Sequence, residues 1–191
     1  MFNRTTYTER RRILKEKVGR GLILLIGNDE SPMNYTDNTY HFRQDSTFLY
    51  YFGIQRPGLA AVIDADNDIE VVFGDEYTVE DYVWRGPQPT IAGQAENCGV
   101  QNVQPAKNLA VMLDAAQQKK QALHFLPLYR PENKIKLYEL LGIAPKDVPG
   151  NSSVDLVKAV VSQREIKTEE EIVQLHQAVF QHFESACAVN D

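Results

Sequence analysis

Residues 41–46, His41-Phe42-Arg43-Gln44-Asp45-Ser46, set a cation, an amide and a carboxylate side by side directly before an aromatic run containing Tyr50, Tyr51 and Phe52. An Arg43 guanidinium and an Asp45 carboxylate pointing the same way would form a charge-assisted pair able to order the long loop before them. Such pairs are commonly structural, so a satisfied corner without a ligand is the plainer expectation for Arg43, Gln44 and Asp45. The second pattern is Trp84, the only tryptophan, followed at once by Arg85, Gly86 and Pro87. An indole at such a break either covers an edge of the core or projects as an anchor facing a partner or a substrate.

Autonomous catalysis would need more than this. The chain has no nucleophile elbow, no phosphate-cradling glycine loop and no cluster of metal ligands, so no catalytic or metal-binding residue is expected in it. His176 and His182 lie six positions apart, roughly 120° from sharing a helix face, and His41 and His124 are isolated. The run Glu169-Glu170-Glu171 reads as a helix start favoured by the helix dipole. Cys98 and Cys187 stand far apart, outside any paired spacing, and are expected to be two reduced thiols. A net charge of -6 removes the general attraction that nucleic acid or an anionic membrane would exert. No apolar stretch approaches a membrane span and the amino-terminal residues do not resemble a secretion signal, which leads to the expectation of a cytoplasmic protein.

The elements that must position these residues follow from pattern. Residues 6–18 read as a basic, mostly solvated helix stopped by Gly19 and Gly21, and residues 21–27 (GLILLIG) as a strand buried on both faces. Residues 28–45, rich in Asn, Asp, Ser and Tyr, read as a long ordered loop. Three strands in meander order are expected at 46–53, 59–63 and 69–73. Residues 79–84 form a short amphipathic segment, and Pro87 and Pro89 forbid regular structure after it. A helix around Leu109, Leu113 and Ala116, a strand at 122–126 and a helix from Pro131 to Gly142 restore α/β alternation. Asp155 is expected to cap the next helix. Thr168 opens a capping box into a last helix whose apolar stripe runs through Ile172, Leu175, Val179, Phe183 and Ala186 to Val189 without a stop signal. At 191 residues and 43% hydrophobic composition, this predicts one α/β domain, residues 1–165, and a linker helix, residues 166–191.

The segment YHFRQDSTFLYYFGIQRPGLAAVI resembles the Y-x-F-R-Q-D-S-D-F-Y-Y-L-T-G-x-x-x-P-x-A signature of the creatinase and aminopeptidase P amino-terminal domain. VWRG resembles that family's later I-W-x-G element, and QREIKTEEEIVQLHQAV resembles the stretch that joins this domain to the catalytic one. The match departs at Thr47, where an acidic residue is usual, and at Phe52 and Gly53. The resemblance implies a three-layer α/β domain with a mixed sheet of about six strands flanked by helices, ribonuclease-H-like in character. It implies a parent Xaa-Pro aminopeptidase, a metallopeptidase that releases the residue preceding proline from proline-containing peptides. Its two divalent metals, commonly manganese, are held by two Asp, one His and two Glu of a carboxy-terminal catalytic domain absent from this chain. It further implies assembly as a dimer or tetramer, with Trp84 and Arg85 bordering the active-site mouth. A freestanding peptide-binding module of the same fold is the rival from another class. Prolidase and creatinase are rivals within the enzymes, disfavoured by the pairing of FRQDS with W-x-G.

Overall fold

The computed structural model describes residues 2–188, with side chains through residue 180. Helix α1 (Arg4–Val18) starts from Asn3, whose side chain accepts from Thr5 N, and stops at Gly19. The apolar run follows as β1 (Leu22–Ile26), then β2 (Pro32–Tyr35) and β3 (Asn38–Thr39) form a small hairpin inside the stretch read as loop. Next come α2 (Ser46–Phe52), β4 (Ala60–Asp64), β5 (Ile69–Phe73), α3 (Val79–Arg85) and α4 (Ile91–Asn97). They are followed by β6 (Asn102–Gln104), α5 (Asn108–Gln118), β7 (Leu123–Phe125), α6 (Pro131–Leu141) and α7 (Val148–Asn151). Helices α8 (Val154–Arg164) and α9 (Glu169–Ala188) come last.

The main sheet has five strands in the order β6-β5-β4-β1-β7, against about six expected, and the hairpin is a separate two-stranded sheet. Strands β1, β4 and β5 pair antiparallel, while β7 and β6 join the edges in parallel. Pleating sends alternate residues to opposite faces. Ile23 and Leu25 enter a core with Phe48, Tyr51, Phe52 and Leu156, under α1, α2, α4 and α8. Leu22, Leu24 and Ile26 enter a second core with Leu109, Leu113, Leu137 and Val148, under α5, α6 and α7. The result is the three-layer arrangement, with β1 apolar throughout because both of its faces are covered.

Residues 46–52 are helical, not the expected strand. Asp45 Oδ1 accepts from Thr47 N at 2.8 Å and Phe48 N at 3.0 Å, which starts the helix. Gly53 ends it in the left-handed region at φ 65°, where a β-carbon would overlap the Tyr7 hydroxyl. Burial of Phe48, Tyr51 and Phe52 at i, i+3 and i+4 is the helical period that aromatic composition concealed.

The opening helix is also less solvated than its charge suggested, since Arg10 and Arg11 are buried. Arg11 is 0% exposed, and its Nε donates to Glu70 at 2.8 Å, its Nη1 to the Tyr51 carbonyl at 2.8 Å and its Nη2 to the Cys98 carbonyl at 2.9 Å. Arg10 lies over the Tyr50 ring at 4.0 Å and donates to the Tyr50 carbonyl. Ser153, not Asp155, caps α8, accepting from Leu156 N. Thr168 and Glu171 form the expected capping box of α9. The first turn of α9 is tied to α1 by Arg10–Glu171 at 3.2 Å and by the Thr6 hydroxyl donating to Glu170. Beyond it Leu175 and Val179 are exposed, while the side chains of His182, Phe183, Ala186, Cys187 and Val189 lie outside the described residues.

Candidate functional site

Trp84 and Arg85 occupy the last turn of α3, a helix with no buried residue. Such a helix has little apolar burial to stabilise it, so polar contacts must fix its place. Thr78 and Asp81 form a capping box, and Gly86 closes the other end by donating its N–H to the Tyr82 carbonyl. Arg85 grips Glu30, after β1, through two parallel bonds of 2.7 and 3.0 Å. Tyr77 stacks under the Arg56 guanidinium at 3.9 Å, and Arg56 in turn donates to the Asp75 and Pro89 carbonyls. The segment 75–89 is therefore held at Asp75, Tyr77, Arg85 and Pro89, yet Trp84 is 81% exposed, with Val83 and Val79 also exposed. The core-edge alternative for Trp84 is excluded by that exposure.

The Arg85 hydrogen bonds hold the Glu30 carboxyl below the ordinary glutamate range. A lowered folded-state value stabilises the structure above the unfolded value, and that contribution is lost as pH falls through the folded one. Trp84 emission should therefore change in acid, below the usual carboxylate range, before the domain unfolds. Glu30→Gln should remove that step; an identical acid profile in the variant would mean that this pair does not hold α3.

The second expected site is a corner whose centre is Gln44. The expected Arg43–Asp45 pair does not form, because the Asp45 carboxylate is committed to the α2 amino terminus. Instead buried Gln44 accepts through Oε1 from Asn28 N at 2.6 Å and Asp45 N at 2.9 Å, and donates through Nε2 to the Arg56 carbonyl at 2.6 Å. Asn28, just past β1, donates to the Arg43 carbonyl at 2.9 Å and accepts from Asn133 Nδ2 of α6 at 3.1 Å. Gly27 is needed for this approach, since a β-carbon there would lie 2.7 Å from the Leu59 carbonyl and 2.9 Å from Gln44 Oε1. The corner thus ties β1 to α2, α6 and the turn before β4, which is a structural role. Glu30, Tyr77, Arg56, Asn28 and Asn133 went unread in the sequence. Only Arg56, at the Arg-Pro-Gly turn, carried any local signal.

Among the described residues no group of three or more His, Cys, Asp or Glu is placed to hold a metal ion, and no helix is long and apolar enough to cross a membrane. The two-metal chemistry implied for a parent enzyme thus has no ligand set among the described residues.

Residues 7–124 match the family model described as aminopeptidase P, N-terminal domain. A probable Xaa-Pro aminopeptidase of Penicillium rubens is 26% identical over 159 residues, covering 83% of this chain and 30% of that protein. The Xaa-Pro dipeptidase of Homo sapiens is 29% identical over 112 residues, covering 59% of this chain and 23% of that protein. The chain therefore spans less than a third of these curated relatives. A solved structure of Escherichia coli aminopeptidase P superposes with a TM-score of 0.70 at 20% identity, covering 91% of this chain and 41% of that one. Pseudomonas aeruginosa aminopeptidase PepP gives a TM-score of 0.72 at 18% identity, over 90% and 40%.

Proposed function

The chain belongs to the aminopeptidase P N-terminal domain family, and on that premise we propose that it is the non-catalytic amino-terminal domain of an Xaa-Pro aminopeptidase. The peptidase relatives support a parent peptidase. In this reading the bond before proline is cleaved by a dinuclear manganese site in a separate carboxy-terminal domain, and the present domain shapes access to it and contributes to a cytoplasmic dimer or tetramer.

The observation that carries the reading is an 81% exposed Trp84 on a helix fixed by Arg85–Glu30 and a capping box. Holding a bare indole rigid has no benefit to the domain's own stability. It has one for a partner, because the indole face stacks on proline rings and the ordering entropy of the helix is already met. Arg85 serves as the positioning residue beneath it.

Trp84→Ala in the parent protein should leave the melting temperature of this domain nearly unchanged, whereas truncating a buried tryptophan costs about 3–5 kcal/mol. The same variant should lower kcat/KM for longer proline-containing peptides more than for dipeptides, by roughly one to two kcal/mol. A domain that melts far lower while the length profile stays flat would sink the proposal.

A further inference from the structure

Helix α9 leaves the domain with almost nothing packed against it. Every residue from Ile172 through Phe180 is exposed, as are Glu169 and Glu170, which leaves Glu171 as the one half-buried residue of α9 among those described. Residues 165–168, which join α8 to α9, are exposed too and adopt no regular structure. Among the described side chains, then, no apolar burial sets the direction in which α9 runs.

Two polar contacts set it instead. Thr6 Oγ1 of α1 donates to Glu170 at 2.8 Å, and Arg10 Nη2 stands 3.2 Å from Glu171 Oε1, with side chains only 6% and 13% exposed. Arg10 Nη2 makes no hydrogen bond, so the second contact is one of charge rather than of direction. Burial strengthens it, because little water or salt reaches the two groups. Breaking an enclosed ion pair is ordinarily costly, since a bare charge stays behind. Here the cation does not stay bare: Arg10 Nη1 keeps the Tyr50 carbonyl at 2.9 Å, and the guanidinium lies 4.5 Å from the Phe2 ring and 4.0 Å from the Tyr50 ring. Glu171 for its part still accepts from Thr168 N at 2.9 Å, and water meets the rest of its carboxylate as it leaves.

We infer that α9 is a hinged arm, pivoting at residues 165–168 and held in one direction by the charge of Glu171 on Arg10. With the pair closed, the arm follows the α1 core; with the pair open, it swings as a folded helix while both cores stay shut.

Electron–electron double resonance on the full chain tests the inference. Spin labels go on Asp114→Cys of α5 and Gln177→Cys of α9, both exposed, with Cys187→Ser leaving one label on α9 and buried Cys98 taking none. Gln177 stands nine residues beyond Thr168, about 14 Å at 1.5 Å per residue, so a swing of roughly 30° displaces it by about 7 Å. Glu171→Gln keeps the shape and the capping-box acceptor but not the charge. The chain with Glu171 should give one narrow distance distribution, and Glu171→Gln should broaden it by about that displacement, with the melting temperature and the far-ultraviolet helix signal unchanged. Thr6→Val, which removes only the Glu170 hydrogen bond, should broaden it less. A distribution already broad with Glu171 present, one that stays narrow in Glu171→Gln, one that Thr6→Val broadens as much, or a broadening that comes with loss of helix signal overturns the inference.

Discussion

Arg11→Met should destabilise the domain by about 3–5 kcal/mol, the cost of removing one partner from a buried charged network. The guanidinium is enclosed completely and serves three acceptors on three different elements: Glu70 on β5, the Tyr51 carbonyl on α2 and the Cys98 carbonyl after α4. Methionine fills much of the volume but returns none of those bonds. Glu70 keeps Lys15 at 3.1 Å, which limits the loss without replacing the two carbonyl contacts. For a domain of this size the melting temperature should fall by roughly 6–20 °C. Arg12, one position on, pairs among the described residues with exposed Glu9 and Glu16, and Arg12→Met should leave the melting temperature almost unmoved. Equal melting of the two variants would show that burial of Arg11 contributes nothing.

Gln44→Leu is the second large effect expected. It leaves the Asn28 and Asp45 N–H groups and the Arg56 carbonyl without their partner. At about 1–3 kcal/mol for each buried polar group left unsatisfied, and with water relieving part of it, the loss should be roughly 3–6 kcal/mol in urea unfolding. Gln44→Glu keeps an acceptor for both N–H groups but turns an oxygen toward the Arg56 carbonyl, which only a protonated carboxyl can serve as a donor, so its loss should shrink as pH falls into the carboxylate range while that of Gln44→Leu does not. Equal stability of wild type and Gln44→Leu would refute the hub role assigned to this amide.

What the sequence disclosed and what it hid divide along the reach of the interactions. The β1 strand was legible because glycines bound its apolar run, and α6 because Pro131 and Gly142 bracket it. Strand β6, three residues long, and helix α4, which begins two residues after Pro89, were too short to carry a period. Helix α2 was misread because Phe, Tyr and Thr favour strands on composition, while the deciding cap lay in the side chain of Asp45. The corner was found by residue type but given the wrong partners. Asn28 and Asn133, which complete it, are 105 positions apart, beyond any local pattern. Arg11 was read as solvated for the same reason, since its partner carbonyl at Cys98 is 87 positions away. For Trp84 the sequence left two readings open, and its exposure became visible only with α3, which has no buried residue.

The packing of α1 has a consequence for the order in which the molecule can be made. This helix precedes in the chain every group that neutralises and covers it: Glu70 and the Cys98 carbonyl for Arg11, Gln163 donating to the Arg10 carbonyl, and α8 with Leu156, Ala159 and Val160 closing the same core. A nascent chain must carry the Arg11 guanidinium without its full set of partners until the Cys98 carbonyl, 87 positions on, has left the ribosome, and Arg10 without its carboxylate until Glu171 has followed. Closure is then a late, nonlocal event, slow by the usual relation between contact separation and rate. Residues 125–164, beyond the family match, supply the lid for the first helix, so the smallest piece that can shut its own core reaches through α8.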